Sequence, residues 1–191
     1  MSYHIYQTPA FILGSKGVGE ANKSYLLFTR DLGLIYATAQ GVRLDKSKLR
    51  HTLQDFAFCT ISLVRGKEFW RITNTSEYGE ALKREQLFSF ARIVSLLKRF
   101  LHGEEVQQGL FETVFSFFTF VSLKGNETES IRRAEIATVF RILYILGYID
   151  DQLFETLLGS NELNEQTFGM VEMNEREILL HINRALKESQ L

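Results

Sequence analysis

The hydrophobic period of this 191-residue chain changes once, near Gly79, and that single change limits what the chain can fold into. Ahead of it, short runs of β-branched, aromatic and leucine residues are separated by turn formers, as half-buried strands require. Behind it, apolar residues recur at spacings of three and four, which places them along one side of a helix. Strands first and helices after is the signature of an α+β chain.

Five runs precede the change: Thr8 to Leu13, Ser24 to Thr29, Leu34 to Ala39, Phe56 to Val64 and Phe69 to Thr75. Asp31-Leu32-Gly33 supplies the reversal of a central hairpin, and Arg65-Gly66-Lys67 turns the chain into the last run. Phe56 to Val64 is apolar on both alternating faces, so that strand is expected to be covered on both sides. Ordered as a meander with a longer final connection, these strands fit a five-stranded barrel of the oligonucleotide-binding type, the OB-fold, over residues 1–79. Gly14 to Gly19 is glycine-rich and contains Lys16. Gly17 follows that lysine where a phosphate loop has Ser or Thr, so the segment reads as a hairpin turn.

An all-helical domain is expected over residues 80–191. Leu87, Phe90, Ala91, Val94, Leu97 and Leu101 share one face, and Gly103 ends that helix. Phe111, Val114, Phe115, Phe118 and Val121 repeat the pattern, widened by Phe117 and Phe120 into a helix buried nearly all round, although its composition also suits a strand. Asn126 with Glu129 resembles a capping box for a third helix, with Ile136, Phe140, Leu143 and Tyr144 on its buried face and Gly147 at its end. A short helix is expected from Asp150 to Leu158 and a loop from Ser160 to Met173. Asn174 with Glu177 then starts a last helix facing inward through Ile178, Ile182, Ala185 and Leu186.

Charge divides the chain more than its total of −1 suggests. Residues 1–79 hold ten Lys or Arg against six Asp or Glu, whereas residues 80–191 hold twelve against seventeen. A polyanion would therefore meet the front half. The positive charge concentrates directly after the hairpin, where Arg43, Lys46, Lys48 and Arg50 face a single Asp45. Such a cluster neutralises phosphates and releases their counterions. The alternative is a solvated loop that binds nothing. Lys23, Arg30 and Arg71 extend the track if the barrel folds as expected. Tyr25 and Tyr36 are either base-stacking platforms or packed strand residues.

Other chemistry finds little support. His4, His51, His102 and His181 are far apart in sequence, and Cys59, the only cysteine, sits in an expected core strand, so neither a disulfide within the chain nor a cysteine-based zinc site can form. Glu104-Glu105 and Asp150-Asp151 read as helix starts. No catalytic constellation, metal site or cofactor is expected, which leaves only sites assembled from distant residues. Met1 to Ala10 lacks the pattern of a signal peptide, and Leu110 to Leu123 is too short to cross a bilayer, so a cytoplasmic protein with no membrane contact is expected.

Several of these elements occur together in one known family. Gly19-Glu20, Leu27-Phe28-Thr29, Gly33-Leu34-Ile35, Ala39-Gln40-Gly41 and the basic run from Arg43 to Arg50 resemble the amino-terminal domain of the RecO recombination mediators. Leu53-Gln54-Asp55-Phe56 is similar to that family's Leu-Gln-Pro-Phe, and Leu110-Phe111-Glu112, Arg132-Arg133 and Leu146-Gly147-Tyr148 resemble its helical domain. The resemblance implies binding of single- and double-stranded DNA, strand annealing and recombinase loading without enzymatic turnover. It also implies partners: the tail of the single-stranded-DNA-binding protein, met at Arg132 and Arg133, with RecR as a further candidate. Many members carry a four-cysteine zinc site after Leu-Gly-Tyr; its absence here implies a short, zinc-free member. A chain that kept only the partner contacts would instead act as an adaptor.

Overall fold

The computed structural model describes residues 4–67, 69–77, 82–123, 127–150 and 160–189. The chain separates into two compact units, one formed by residues 1–81 with 100–108 and the other by 82–99 with 109–191.

The first unit is a closed five-stranded barrel. Its strands are β1 (Ile5–Val18), β2 (Asn22–Thr29), β3 (Gly33–Ala39), β4 (Phe58–Arg65) and β5 (Trp70–Glu77). Around the barrel they run β1-β2-β3-β5-β4, with β3 and β5 parallel and every other pair antiparallel. This is the OB-fold. It corrects the meander, since β3 crosses to β5 and β4 closes against β1.

Closure depends on β1 serving two neighbours. Its first half, Ile5 to Phe11, pairs with β4, and its second half, Ala10 to Val18, pairs with β2. A register shift between Ile12 and Gly14 bends it from one partner to the other. The connection into β4 docks at that bend: Phe56 donates its backbone N–H to Ile12 at 2.7 Å, and Ile12 donates to Ala57 at 2.9 Å. Phe56 is held there at φ 69. The turn expected across Gly14 to Gly19 is thus largely strand, and the reversal falls at Gly19 to Ala21.

Alternation fills the barrel. Ala10, Ile12, Tyr25, Leu27, Ile35, Ala37, Cys59, Ile61, Leu63, Trp70 and Ile72 form one buried cluster, each large apolar member being worth roughly 1.5–3 kcal/mol before chain entropy is charged. Burial pushes the Cys59 thiol up to about 12. The outer face of β4 is half-covered, as its apolar pattern requires, with Phe58 against Phe11 at 4.7 Å between ring centres.

Among the described residues β3 and β5 pair only at Ala37–Trp70 and Thr38–Arg71, which leaves the first part of β3 without a described strand on that side. Residues 100–108 lie along the seam. Glu104 accepts two bonds from Arg65 Nη1, at 2.7 and 2.8 Å, and one from Trp70 Nε1 at 3.1 Å. Gly33, at φ +68, lets the Glu105 backbone approach so closely that a Cβ would overlap its carbonyl. Glu104 is therefore a clamp on β4 and β5, correcting its reading as a helix start.

The second unit is helical: α2 (Arg84–Phe100), α3 (Gln108–Ser122), α4 (Thr128–Ile145) and α5 (Glu165–Glu188), following a short α1 (Leu49–Thr52) in the barrel unit. Phe90, Phe111, Phe117 and Phe140 are fully buried, which bears out α3 as a helix apolar nearly all round. Tyr144, expected inside, is 41% exposed, and Ala137 and Arg141 take inward positions instead. Arg141 donates to the Glu162 carbonyl at 3.1 Å, and its burial pulls the guanidinium down to about 10. Glu127, rather than Asn126, is the N-cap of α4, and Asn126 lies outside the described residues. So does most of the helix expected from Asp150 to Leu158.

The loop expected from Ser160 to Met173 ends earlier, because Asn164 accepts from the Thr167 N–H at 3.1 Å and starts α5 there. Asn174, read as the cap, is a kink inside α5, with φ −119, and its side chain donates back to the Met170 carbonyl at 2.9 Å. Beyond it, Ile178, Ile182 and Ala185 face inward as expected. Among the described residues no helix is long and apolar enough to cross a membrane.

Candidate nucleic-acid interface

The basic segment leaves the barrel where β3 ends. Ala39 pairs with Lys23, and the chain then turns through Gly41, whose N–H is held by Asn22 Oδ1 at 2.9 Å. Arg43 is tied down twice: its backbone N–H donates to Ala21 and its Nη1 to the Gly19 carbonyl, both at 2.9 Å. Val42 and Leu53 anchor the segment's two ends in the core, and α1 occupies its second half. Between these anchors Lys46 and Lys48 are exposed, and no carboxylate among the described residues holds either. Arg50 donates to Asp45 at 2.6 Å, but Asp45 is 97% exposed, so solvent screens that pair heavily.

Lys23, Arg43 and Arg50 come together with Tyr25 and Gln54 around one cavity of about 480 Å³ at this end of the barrel. Arg30 does not belong to the group. It follows the opposite end of β2, seven residues from Lys23, or about 23 Å at a strand's rise of about 3.3 Å per residue. That corrects its place in the expected track.

Arg71 lies on the outer surface of the same end. The register aligns Lys16 with Ser24, Ser24 with Thr38, and Thr38 with Arg71, one row across β1, β2, β3 and β5. Tyr25, Ala37, Ala39 and Trp70 point inward, so by alternation this row points outward. Lys16 and Arg71 are exposed. Tyr36, two residues from Thr38 on the same face, is 63% exposed, and Phe69, just ahead of β5, is 59% exposed. Tyr25 resolves the other way: it is 1% exposed, and burial, with Asp55 nearby, pushes its phenol up to about 12. Sequence reasoning missed Lys16 and Phe69. The first was hidden in a segment read as a turn, and the second carries no signal until β5 is placed.

Arg132 and Arg133, the expected partner-binding pair, stand on α4 of the helical unit. Arg132 donates to Glu175 and, at 3.2 Å, to Glu129; Arg133 donates to Glu129 at 3.2 Å and to Glu172 at 2.8 Å. The hydrogen bond from Arg132 holds the Glu175 carboxyl below its usual range. Both arginines are thus already engaged by carboxylates of their own unit.

Sequence comparison supplies the lineage. Residues 1–78 match the family described as Recombination protein O N terminal. DNA repair protein RecO of Dehalococcoides mccartyi strain 195 is 30% identical over 147 residues, covering 75% of this chain and 55% of that protein. DNA repair protein RecO of Caldanaerobacter subterraneus subsp. tengcongensis is 28% identical over 151 residues, covering 75% and 58% respectively. DNA repair protein RecO of D. mccartyi strain CBDB1 is 40% identical over 72 residues, covering 38% of this chain and 28% of that protein. The chain therefore spans about half the length of the first two of these relatives. With a closed five-stranded barrel and a matching sequence across residues 1–78, the amino-terminal domain of this chain belongs to the RecO family.

Proposed function

We propose that this protein acts in DNA repair and recombination by binding DNA at the basic end of its barrel. The observation that supports this reading most is the set of cations and exposed aromatics there: Lys46 and Lys48 on the loop, and Lys16, Arg71, Tyr36 and Phe69 on or beside the adjoining face. Cations of this kind grip the sugar–phosphate backbone whatever its sequence. Aromatic faces stack unpaired bases with the same tolerance, at roughly 1–3 kcal/mol each.

The finer reading is a recombination mediator. A surface that screens two phosphate backbones at once lets complementary strands approach, and base pairing then selects the partner. Such a protein breaks no bond and consumes no cofactor. It would work on strands coated by the single-stranded-DNA-binding protein, with a RecR-like protein as a further partner. An acidic tail seeking Arg132 and Arg133 would have to displace Glu172 and Glu175, so the DNA contact carries the proposal and the adaptor role stands second.

Annealing of two complementary oligonucleotides, followed by the signal of a fluorophore and quencher pair, tests it. The protein should accelerate duplex formation at low salt and lose that effect when Lys46 and Lys48 are both changed to Glu. An unchanged rate in the presence of protein that demonstrably occupies both strands would remove the annealing role.

A further inference from the structure

We infer that the cavity at the basic end of the barrel is a pocket for a phosphate monoester, the terminal phosphate of a nucleic-acid strand. The inference rests on the DNA-binding reading and adds to it a site for strand ends, distinct from the phosphodiester track along the loop.

Three cationic side chains line one half-open cavity, and each is held by a contact that leaves donors unspent. Arg43 spends one N–H on the Gly19 carbonyl, Arg50 spends one on Asp45, and Lys23 lies 3.5 Å from Ser15 Oγ. A guanidinium has five N–H groups and an ammonium three, so most of the donors remain. Gln54 Nε2 is fixed on the Arg50 carbonyl, which locks the α1 side of the cavity.

The cavity wall carries the more telling feature. Tyr25 is buried in the barrel core and lines this same space, yet its hydroxyl has no hydrogen-bond partner among the described residues. A buried donor without an acceptor is uncommon in a folded protein and calls for an explanation. Its phenol stays protonated to about pH 12, so it remains a donor throughout the physiological range. An acceptor brought in beneath three cations satisfies it.

Charge selects the ligand. Asp45 pairs with Arg50 and Asp55 lies near Tyr25, so the positive charge of the three cations is offset only in part. A monoester carries up to two negative charges near neutral pH and three strong acceptor oxygens, whereas an internal phosphodiester carries one charge and offers two free oxygens. The pocket therefore prefers a strand end to the middle of a strand.

The test uses the full chain and two pairs of probes. In the first, the affinity of a short single strand with a terminal phosphate, placed 5′ in one sample and 3′ in another, is compared with that of the same strand ending in hydroxyls. At least one phosphorylated strand should bind roughly tenfold tighter, the worth of one added charged hydrogen bond. In the second, thermal unfolding is followed with deoxythymidine monophosphate or with thymidine at matched ionic strength, and only the former should raise the midpoint. Tyr25→Phe removes just the hydroxyl. It should leave the unligated protein at least as stable while shrinking both effects, and Arg43→Ala should abolish them. Equal binding of all strands, with no shift by the monophosphate, overturns the pocket and leaves DNA binding intact. A shift by the monophosphate with no strand binding keeps the pocket and removes the DNA reading. Effects that survive in both variants overturn the assignment.

Discussion

The basic end of the barrel and the α4–α5 face of the helical unit use arginine and lysine in opposite ways, although Arg65 elsewhere in the barrel unit is paired with Glu104. In the helical unit, Arg92 is paired with Glu135, Arg132 with Glu175 and Glu129, Arg133 with Glu129 and Glu172, and Arg184 with Glu188. In the barrel, Lys46, Lys48, Lys16 and Arg71 meet no carboxylate among the described residues, and Arg43 is anchored on a carbonyl, which fixes it without neutralising it. The two regions contain similar numbers of cations, so counting charges does not separate them. What separates them is the partner: a charge already met by a carboxylate contributes to the fold, and a charge left facing water is available to a polyanion.

The most severe test of the comparison reverses charge on the barrel. Lys46→Glu with Lys48→Glu should weaken single-strand binding by roughly 10- to 100-fold at low salt and lower the salt slope by about 1.4, about 0.7 for each lysine. Circular dichroism should report an unchanged fold, since both side chains are exposed.

A smaller effect is expected from Arg132→Ala, and it should appear in a different measurement. Removing the link between α4 and α5 should lower stability to denaturant by about 1 kcal/mol, the discounted worth of a half-exposed network, with oligonucleotide affinity unchanged within about twofold. A large loss of DNA affinity would mean that the helical unit's arginines are not reserved for its fold.

Acid should act on the same network. Glu175 is held below its usual value by the hydrogen bond from Arg132 and then by the charges of Arg132 and Arg133. Its folded pKa is depressed, so its contribution is complete above the ordinary value of 4.5 and is lost as pH falls through the lowered one. Glu175→Gln should flatten the acid limb of the stability curve, and denaturation followed between about pH 5 and pH 2 checks it.

The smallest effect belongs to Asp45→Asn. It releases Arg50 from its exposed pair, so stability should move by no more than about 0.5 kcal/mol, while binding should tighten by about two- to threefold, as for one more phosphate contact. A loss of binding would mean that Asp45 positions Arg50 instead of competing for it.

How far these features could be read from the sequence depended on the distance over which each is determined. The hairpin of β2 and β3 and the faces of α2 and α3 were legible, because alternation and helical spacing are local. The extension of β1 through Gly14, Ser15, Lys16 and Gly17 was not, because pairing with β2 overrides the turn preference of those residues. Asn164 was passed over as a cap because the weak helix formers Thr167 and Gly169 follow so soon after Glu165 and Gln166. In the site, Arg43, Lys46, Lys48 and Arg50 stood out as a run, whereas Lys16 and Arg71 join them only through the barrel register. Arg30 looked like a neighbour of the run and is a strand's length away. Glu129 stands at helical spacing from Arg132 and Arg133 in the sequence itself, whereas Glu172 and Glu175 reach them only after α5 packs on α4.

The central claim, that unpaired cations on one end of the barrel hold DNA phosphates, is tested most directly by titrating salt against oligonucleotide affinity. The logarithm of the binding constant should fall linearly with the logarithm of salt concentration, at about 0.7 per phosphate contacted on a single strand. With two to five contacts from the exposed cations, a slope between about −1.5 and −3.5 is expected. Affinity that does not change with salt, or no binding at about 50 mM salt, where counterion release is strongest, would contradict the account.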